Sequence, residues 1–323
     1  MRVMVTGGAG YIGAHVVRAL RGDGQTVGVL DDFSTGSRAR LDPATPVYAG
    51  SLLDTAFVEA ALRDFEADAV VHIAAKKAVE ESVADPLLYY RENVTGMHSV
   101  LESMVRAATP RILFSSSAAV YGPAATSPVT EESPTVPSSP YGWTKLMCER
   151  MLCDVAAAHN LSWAALRYFN VAGSAEPHLA DRGETNLIPK VFRAISTGVA
   201  PKVFGDTYPT RDGTCVRDYI HVCDVADAHA AVLKQMGSDL SASVYNIGTG
   251  TGTSVLEVMA AVRQVTGIDF HHDICAARPG DCADVVADPT KIRTRLGWRS
   301  RHDLKGAVES AWQAWSALSR SGS

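Results

Sequence analysis

The chain has 323 residues, of which 46% are apolar and 20% charged, and its formal net charge is −5. This length exceeds one typical domain, so we expect a large domain and a smaller one, and the apolar share suffices for a sizeable core. The acidic balance without a basic run argues against nucleic acid as a partner, and the lack of any ~18-residue apolar stretch argues against a membrane.

The first half of the chain alternates short apolar runs with helical patterns. The apolar runs predict strands at residues 2–6, 25–30, 46–49, 68–75, 111–115 and 162–167. Amphipathic periodicity predicts helices at residues 15–21, 55–65, 86–108 and 141–158. This alternation predicts an α/β protein with a Rossmann-type doubly wound parallel sheet, covered by helices on both faces.

Beyond Phe169 the alternation loosens, because glycine, proline and polar residues crowd the chain. Helices are predicted at residues 187–197, 224–236, 254–266 and 304–318, and strands at residues 218–221 and 244–247. We predict a larger, nucleotide-binding domain over residues 1–170 and about 217–247. A smaller C-terminal α/β substrate domain would take residues 171–216 and about 248–318, followed by a tail at residues 319–323.

Three glycines mark a dinucleotide site. Gly7, Gly10 and Gly13 follow the first strand and open the first helix, with the spacing G-x-x-G-x-x-G. Such a turn lets backbone N–H groups approach a pyrophosphate, and the helix N-terminus favours its negative charge. Asp31 ends the second strand, where a carboxylate accepts from a ribose 2′-OH and repels a 2′-phosphate. The sequence therefore predicts NAD rather than NADP.

Tyr141 and Lys145 form a Tyr-x-x-x-Lys motif, and Ser117 lies upstream of it. On a helix, this spacing places both side chains on one face. A tyrosine phenol ordinarily loses its proton near pH ~10, and a nearby ammonium lowers that pKa toward a useful range. Taken alone, the motif also fits an ordinary surface helix, so its combination with the dinucleotide signature is what favours catalysis.

The cysteines and histidines show no metal or disulfide pattern. Cys148, Cys153, Cys215, Cys223, Cys275 and Cys282 include no C-x-x-C pair, which predicts free thiols in a reducing compartment. His271, His272 and Asp273 are adjacent in a predicted strand, where neighbouring side chains point to opposite faces, so no metal is expected. The chain begins with strand-like residues rather than a signal peptide, and we expect a cytoplasmic protein.

Several longer stretches carry a family resemblance. They are VTGGAGYIG (5–13), KAVEES (77–82), SSSAAVYG (115–122), SPYGWTK (139–145), RYFNVAG (167–173), NLIP (186–189) and YPTRDGTCVRDYIHV (208–222). Together they resemble the extended short-chain dehydrogenase/reductases and, within them, the UDP-glucose (UDP-galactose) 4-epimerases. The last stretch is the most specific, and the resemblance extends from residue 1 to about residue 315.

The resemblance implies a reversible C4 epimerisation of UDP-hexoses, through a 4-keto intermediate and a transient hydride transfer to bound NAD. Tyr141 would be the acid/base, Lys145 would bind the nicotinamide ribose and lower the pKa of Tyr141, and Ser117 would hydrogen-bond the sugar O4. Further cofactor contacts would come from Tyr11, Ile12, Lys77, Asn93 and Tyr168. The UDP-sugar would contact Asn170, Asn186, Leu187, Phe204, Arg217, Arg278, Asp281 and Val285.

The resemblance also implies a homodimer and points to two departures from the family. The dimer would be built on the helices predicted at residues 86–108 and 141–158. Ser51 stands where the family usually has an acidic residue that contacts adenine. Val285 stands where some members have a bulky aromatic residue beside the sugar, so N-acetyl sugars would also fit.

Other functions remain open at this point. A UDP-xylose/arabinose or UDP-glucuronate epimerase is not distinguished by these motifs. A 4,6-dehydratase commonly has an acid/base pair after the serine, where this chain has Ala118 and Ala119. A non-catalytic nucleotide-binding protein of the same fold is a further alternative, against which the intact Ser117, Tyr141 and Lys145 argue.

Overall fold

The computed structural model describes residues 1–123, 127–183, 185–236, 242–278 and 280–321. The chain divides into two compact units. Unit 1 comprises residues 1–120, 137–167 and 226–245, and unit 2 comprises residues 121–136, 168–225 and 246–323. In the part of the chain that is described, no helix combines the length and the apolar character that crossing a bilayer would require.

Over the described residues, the strands form one large sheet and two small ones. They are β1 (Arg2–Thr6), β2 (Thr26–Asp31), β3 (Val47–Ala49), β4 (Ala69–His72), β5 (Arg111–Ser117), β6 (Ser162–Tyr168), β7 (Asn170–Ala172), β8 (Lys202–Phe204), β9 (Val216–His221), β10 (Ala242–Ile247), β11 (Gly252–Ser254), β12 (Asp273–Cys275) and β13 (Asp284–Val285). The large sheet has the order β10-β6-β5-β4-β1-β2-β3. The small sheets join β9 to β7, β11 and β13, and β8 to β12.

The order of the large sheet confirms the predicted Rossmann-type fold. The chain starts in the middle at β1 and winds outward in both directions, with β1 parallel to both β2 and β4. Val3, Met4 and Val5 are completely buried, as expected for a parallel strand covered on both faces. Because ligands of such sheets bind at the carboxyl ends of the strands where the winding direction changes, the ends of β1 and β4 define the expected site.

The helices differ from the prediction mainly at residues 86–108. They are α1 (Tyr11–Gly22), α2 (Thr55–Asp64), α3 (Val79–Ala84), α4 (Pro86–Tyr89), α5 (Gly96–Ala107), α6 (Pro140–His159), α7 (Leu187–Ser196), α8 (Val222–Gln235), α9 (Val255–Thr266), α10 (Thr290–Leu296) and α11 (Leu304–Ser321). The helix predicted at residues 86–108 is present over residues 86–107, but a π-helical stretch, Tyr90–Thr95, lies between α4 and α5. This stretch contains the buried Asn93, whose amide meets Lys76 and Thr144.

Two of the domain boundaries also require correction. The prediction places β9 in the larger domain, but its partners β7, β11 and β13 all belong to unit 2. The chain returns to unit 1 only at residue 226, with most of α8 and the edge strand β10. Because α11 continues to Ser321, residues 319–321 are helical and not a tail, and residues 322–323 lie outside the described part.

Each unit has its own apolar core. In unit 1, Val100, Leu101 and Met104 of α5 pack with Phe114 of β5 and Leu152 of α6. In unit 2, helices α7, α9 and α11 enclose a core that includes Phe192, Val203, Val258 and Val308, with Trp312 and Trp315 packed against it. The apolar stripe of α11 is therefore part of the core, as its periodicity predicts.

Val203→Ala is expected to lower the free energy of unfolding by about 2 kcal/mol, because it removes two buried methyl groups and leaves a cavity. Val203 is 1% exposed, whereas Val199, four residues earlier, is 58% exposed. Val199→Ala is the matched control and should change stability by no more than about 0.5 kcal/mol. Urea denaturation of both variants measures the difference, and equal midpoints would contradict the assignment of this core.

Candidate active site

The loop between β1 and α1 is shaped for close backbone approach. Gly7 has a φ of 69°, in the region that favours glycine. A Cβ on Gly13 would lie 2.0 Å from the carbonyl oxygen of Gly7, and a Cβ on Gly7 would lie 2.7 Å from the backbone of Ala74. Gly10 is the N-cap of α1 and leaves the helix N-terminus without a capping side chain. These residues fit a pyrophosphate, which is favoured at such an N-terminus.

Asp31 lies beside this loop at the end of β2 and is 7% exposed. Its Oδ2 accepts a hydrogen bond from Ala9 N at 2.9 Å, and its Oδ1 accepts one from Phe33 N at 2.8 Å. Burial raises the pKa of Asp31, and these two backbone donors oppose the rise. Each carboxylate oxygen keeps a further lone pair, so Asp31 can also accept from a ribose hydroxyl, as NAD requires.

Tyr141, Lys145 and Ser117 lie together in unit 1. Ser117 is the last residue of β5, and α6 carries Tyr141 in its first turn because Ser139 caps that helix by accepting from Gly142 N. Burial raises the pKa of Tyr141, and the nearby Ser117 hydroxyl opposes the rise. The serine and the tyrosine that the sequence predicts as substrate contacts therefore lie close together.

Lys145 has surroundings that the motif did not predict. Its Nζ donates to Ser115 O at 2.8 Å and lies 4.8 Å from the centre of the Phe114 ring. Burial lowers the pKa of Lys145 to about 8, although Cys148 and Glu149 act to raise it. That Lys145 lowers the pKa of Tyr141 stays a prediction; in this arrangement its ammonium is directed at the carbonyl of Ser115.

Asn93 connects the loop before α3 to α6. Its Oδ1 accepts from Lys76 N at 2.8 Å, and its Nδ2 donates to Lys76 O and to Thr144 Oγ1, both at 3.0 Å. Thr144 Oγ1 donates in turn to Tyr141 O at 2.7 Å. The side chain of Asn93 thus positions the loop that carries Lys77 against the helix that carries Tyr141. Direct contact of Asn93 with the cofactor stays a prediction.

The predicted cationic and aromatic groups for UDP lie in unit 2. The Arg278 guanidinium lies 3.8 Å from the centre of the Phe204 ring, in cation–π contact. Arg217 is on β9, and its Nη1 donates to Val216 O at 2.8 Å. Burial raises the pKa of the Cys282 thiol. The positive charge of Arg217 opposes this rise and the negative charge of Asp281 adds to it, so Arg217 and Asp281 both lie near Cys282. Unit 2 therefore supplies the guanidinium groups that a diphosphate requires.

Asn186 and Val285 occupy defined positions in unit 2. Asn186 is the N-cap of α7 but makes no side-chain capping bond, and its Nδ2 donates to Asp181 Oδ2 at 2.6 Å. Val285 pairs with Arg217 between β13 and β9 and is 8% exposed, so most of its side chain packs within the unit. Asp181 thus orients Asn186, a role the sequence reasoning missed.

The remaining predicted residues lie at the ends of elements or in loops. Tyr11 and Ile12 form the first turn of α1, Lys77 is exposed before α3, Tyr168 ends β6, exposed Asn170 begins β7, and Leu187 begins α7. Ser51 Oγ accepts from Leu53 N at 3.1 Å, as a turn residue does. Within the described ranges, no group of three or more His, Cys, Asp or Glu side chains is placed to hold a metal ion.

The sequence reasoning also missed a buried charged cluster behind Lys145. Glu149 and Arg167 are 6% and 5% exposed, and two hydrogen bonds of 2.9 and 2.6 Å join them. Ser116 Oγ donates to the same carboxylate. The signal was available, because Glu149 follows Lys145 by one helical turn and so shares its face.

Taken together, unit 1 has the fold and the groups of a nicotinamide-dependent enzyme that handles a proton at a substrate oxygen. The glycine loop and Asp31 suit the dinucleotide, and Ser117 with Tyr141 suits the oxygen. A family model describes such enzymes and matches residues 3–248. The chain belongs to this family, the NAD dependent epimerase/dehydratase family.

Individual relatives agree with this assignment. The chain is 44% identical over 321 residues to the UDP-glucose 4-epimerase of Lactobacillus helveticus, covering 97% of this chain and 96% of that protein. It is similar, with a TM-score of 0.95, 37% identity and 99% coverage of both chains, to the Stenotrophomonas maltophila UDP-glucose-4-epimerase solved with NAD and formylated UDP-arabinopyranose. It is also similar to the Bifidobacterium longum UDP-glucose 4-epimerase solved with NAD⁺ and UDP, with a TM-score of 0.94, 37% identity and 100% coverage of both chains. The predicted family resemblance and the NAD cofactor are confirmed.

Gly13→Ala is expected to abolish retention of NAD through purification, because the new Cβ would lie 2.0 Å from the Gly7 carbonyl oxygen and force the turn open. Gly22→Ala, at the end of the same helix, is the matched control, since a Cβ there meets nothing within 4 Å. The NAD(H) released on denaturation is measured per mole of protein. A folded Gly13→Ala variant that holds as much NAD as Gly22→Ala would contradict the glycine-loop site.

Proposed function

We propose that this protein catalyses the reversible C4 epimerisation of UDP-hexoses, namely UDP-glucose and UDP-galactose. The observation that carries the proposal is the closeness of the Ser117 hydroxyl to the buried phenol of Tyr141, in the unit whose glycine loop fits NAD. The 44% identity of this protein to a UDP-glucose 4-epimerase supports the choice of substrate. Because UDP-galactose would be a substrate, the proposal includes a role in galactose metabolism.

The chain's own residues would handle the proton of the sugar 4-OH. Ser117 would hold O4, while Tyr141 takes the proton and later returns it. When bound, NAD supplies reversible hydride transfer at C4, which makes the reaction redox-neutral overall. Lys145 would bind the nicotinamide ribose.

Unit 2 would hold the UDP. Arg217 and Arg278 offer guanidinium groups to the diphosphate, and Phe204, Asn170, Asn186, Leu187 and Asp281 would complete the contacts. A 4-keto sugar must turn over to receive hydride on its other face, so strong contacts to UDP and weak contacts to the sugar are required. Strong contacts to the sugar would prevent this rotation of the 4-keto sugar within the site.

A panel of UDP-sugars, with no added cofactor, tests the proposal. UDP-glucose and UDP-galactose should interconvert, and proton NMR of the product identifies inversion at C4. If only UDP-xylose and UDP-arabinose, or only UDP-glucuronate, are converted, the alternative epimerase is correct. If no sugar is converted and bound NAD is never reduced, the protein is a non-catalytic nucleotide-binding protein.

Tyr141→Phe should keep bound NAD and UDP affinity but lower kcat by roughly 10²–10⁴-fold, because it removes only the proton-transfer group. Tyr48→Phe is the matched control, since it removes a phenolic hydroxyl that donates a hydrogen bond to Asp64 at the surface. Turnover of UDP-galactose is measured for both variants. If Tyr141→Phe retained more than about half of the activity, Tyr141 would not be the acid/base.

Activity on UDP-N-acetylglucosamine and UDP-N-acetylgalactosamine is also expected. Val285 is smaller than an aromatic side chain and would leave room for an acetamido group beside the sugar. Val285→Tyr should remove turnover of the N-acetyl sugars and spare the plain hexoses, as measured by kcat/KM for each pair. If the wild-type protein converts no N-acetyl sugar, the argument from the size of Val285 is wrong.

We propose a homodimer through an apolar face of unit 1. Val100, Leu101 and Met104, on the first of the two predicted dimer helices, are 0–2% exposed in the core and cannot form an interface. A group of exposed apolar side chains lies instead on the adjacent helices α3, α4 and α6. They are Val79, Val83, Leu87, Trp143 and Met147, with exposures of 39–78%.

Leu87→Asp should therefore shift the protein from dimer to monomer, because it places a charge in the middle of this apolar face. Val199→Asp is the control, since it adds the same charge at an exposed valine of unit 2. Analytical ultracentrifugation at micromolar concentration measures the species present. A wild-type protein that sediments only as a 34.3 kDa species would contradict the dimer.

A cytoplasmic location is part of the proposal. All six cysteines are free thiols, and four of them are half-buried or exposed: Cys153, Cys223, Cys275 and Cys282. Free thiols of this kind persist in a reducing compartment. Cell fractionation with activity assays tests the location.

A further inference from the structure

Glu149 and Arg167 form a charge pair inside unit 1 that the proposed chemistry does not use. Glu149 is on α6 and Arg167 is on β6, and both side chains are 6% exposed. Arg167 donates from Nε and Nη2 to the two carboxylate oxygens. Because the cost of burying two charges can exceed their mutual attraction, such a pair is weak evidence for stability alone. Its position indicates another role.

That position continues a stripe along α6. Tyr141, Lys145 and Glu149 are spaced by four residues and so share one face of the helix. Each of them faces β5: Tyr141 lies near Ser117, Lys145 donates to the carbonyl of Ser115, and Glu149 accepts from the hydroxyl of Ser116. Three successive turns of α6 therefore face three consecutive residues of β5, and hydrogen bonds fix two of them.

We propose that Glu149 is a positioning residue of the active site: balanced by Arg167, its carboxylate fixes α6 to β5 and places a negative charge one helical turn from Lys145. Loosening this contact would change how Tyr141 faces Ser117. The inference rests on the proposed catalytic roles of Tyr141, Ser117 and Lys145.

The groups around Lys145 make Glu149 the anion that acts on it. Cys148 on α6 is a neutral thiol at neutral pH, because burial raises its pKa to about 12. His72 on β4 is neutral as well, because burial and Lys145 lower its pKa to about 3. Tyr141 is also protonated, since burial raises its pKa. Arg167 on β6 is the cation that balances Glu149.

The sign of the effect follows from these charges. Lys145 has a pKa of about 8, so its ammonium is lost as the pH rises through that value. Glu149 favours the charged form, and removing its charge lowers the pKa of Lys145 further. The alkaline limb of the pH–rate profile, where Lys145 loses its proton, should then move to lower pH.

The double variant Glu149→Gln/Arg167→Gln tests this in the NAD-containing protein. It removes both buried charges together and keeps groups that can hydrogen-bond to each other and to Ser116. We expect the alkaline limb of kcat for UDP-galactose to move to lower pH, because Glu149 is the charge that supports the Lys145 ammonium. The matched control is Arg150→Gln/Asp154→Asn, which removes an exposed pair on the outer side of the same helix and should leave the limb unchanged. A folded Glu149→Gln/Arg167→Gln variant with the wild-type limb and the wild-type pKa of Lys145 would overturn the proposal.

A direct titration separates this inference from the proposed function. Lysine labelled with ¹³C at Cε reports the pKa of Lys145, and the resonance is assigned by its loss in Lys145→Arg. A lowered Lys145 pKa without a shifted pH–rate limb would mean that Glu149 acts on Lys145 while the catalytic role of Lys145 is wrong. An unchanged Lys145 pKa would overturn the electrostatic part of the inference, whatever the activity.

Ser116→Ala decides the positioning part, and does so alone if the double variant does not fold. It removes only the hydrogen bond between Ser116 and Glu149 and keeps both charges. We expect kcat to fall about three- to tenfold with KM and the alkaline limb unchanged, because small misalignments of reacting groups are costly. An unchanged kcat in Ser116→Ala would overturn the positioning role.

Discussion

The packing of α6 against β5 is the constraint on which the rest of unit 1 depends. Ser139 fixes where α6 begins, and that starting point decides which residues face the strand. Because an α-helix turns by ~100° per residue, a cap displaced by one residue would rotate Tyr141, Lys145 and Glu149 away from β5 together. The Tyr-x-x-x-Lys motif therefore depends on the Ser139 cap, because its two side chains face β5 only when α6 begins at this point.

Much of the fold could be predicted because buried parallel strands are recognisable as short apolar runs in the sequence. β1, β2 and the glycine turn follow from apolar runs that end at glycine or aspartate, and Asp31 was found because it ends such a run. The π-helical stretch Tyr90–Thr95 could not be predicted, since it depends on the distant partners of Asn93. The pairing of β9 with β7, β11 and β13 was missed for the same reason, because strand partners are not encoded locally.

The candidate site shows the same division between local and distant information. Spacing alone indicated that Tyr141 and Lys145 share a helix face with Ser117 nearby. The direction of the Lys145 ammonium depends on Phe114 and the carbonyl of Ser115, which no motif specifies. Glu149 was overlooked because a charged helical residue ordinarily faces solvent, and only its spacing from Lys145 indicated that it faces inward.

The path of the chain through the large sheet has a consequence for biosynthesis. The edge strand β10 and most of α8 belong to unit 1 but come from residues 226–245, after a long segment of unit 2. His229 of α8 reaches Ser115 of β5 at 3.0 Å, so this late segment also touches the strand that ends in Ser117. A ribosome must therefore release about three quarters of the polypeptide before β6 can pair with β10, its second neighbour in the sheet, and until then the emerging sheet has an open edge on which a chaperone can act.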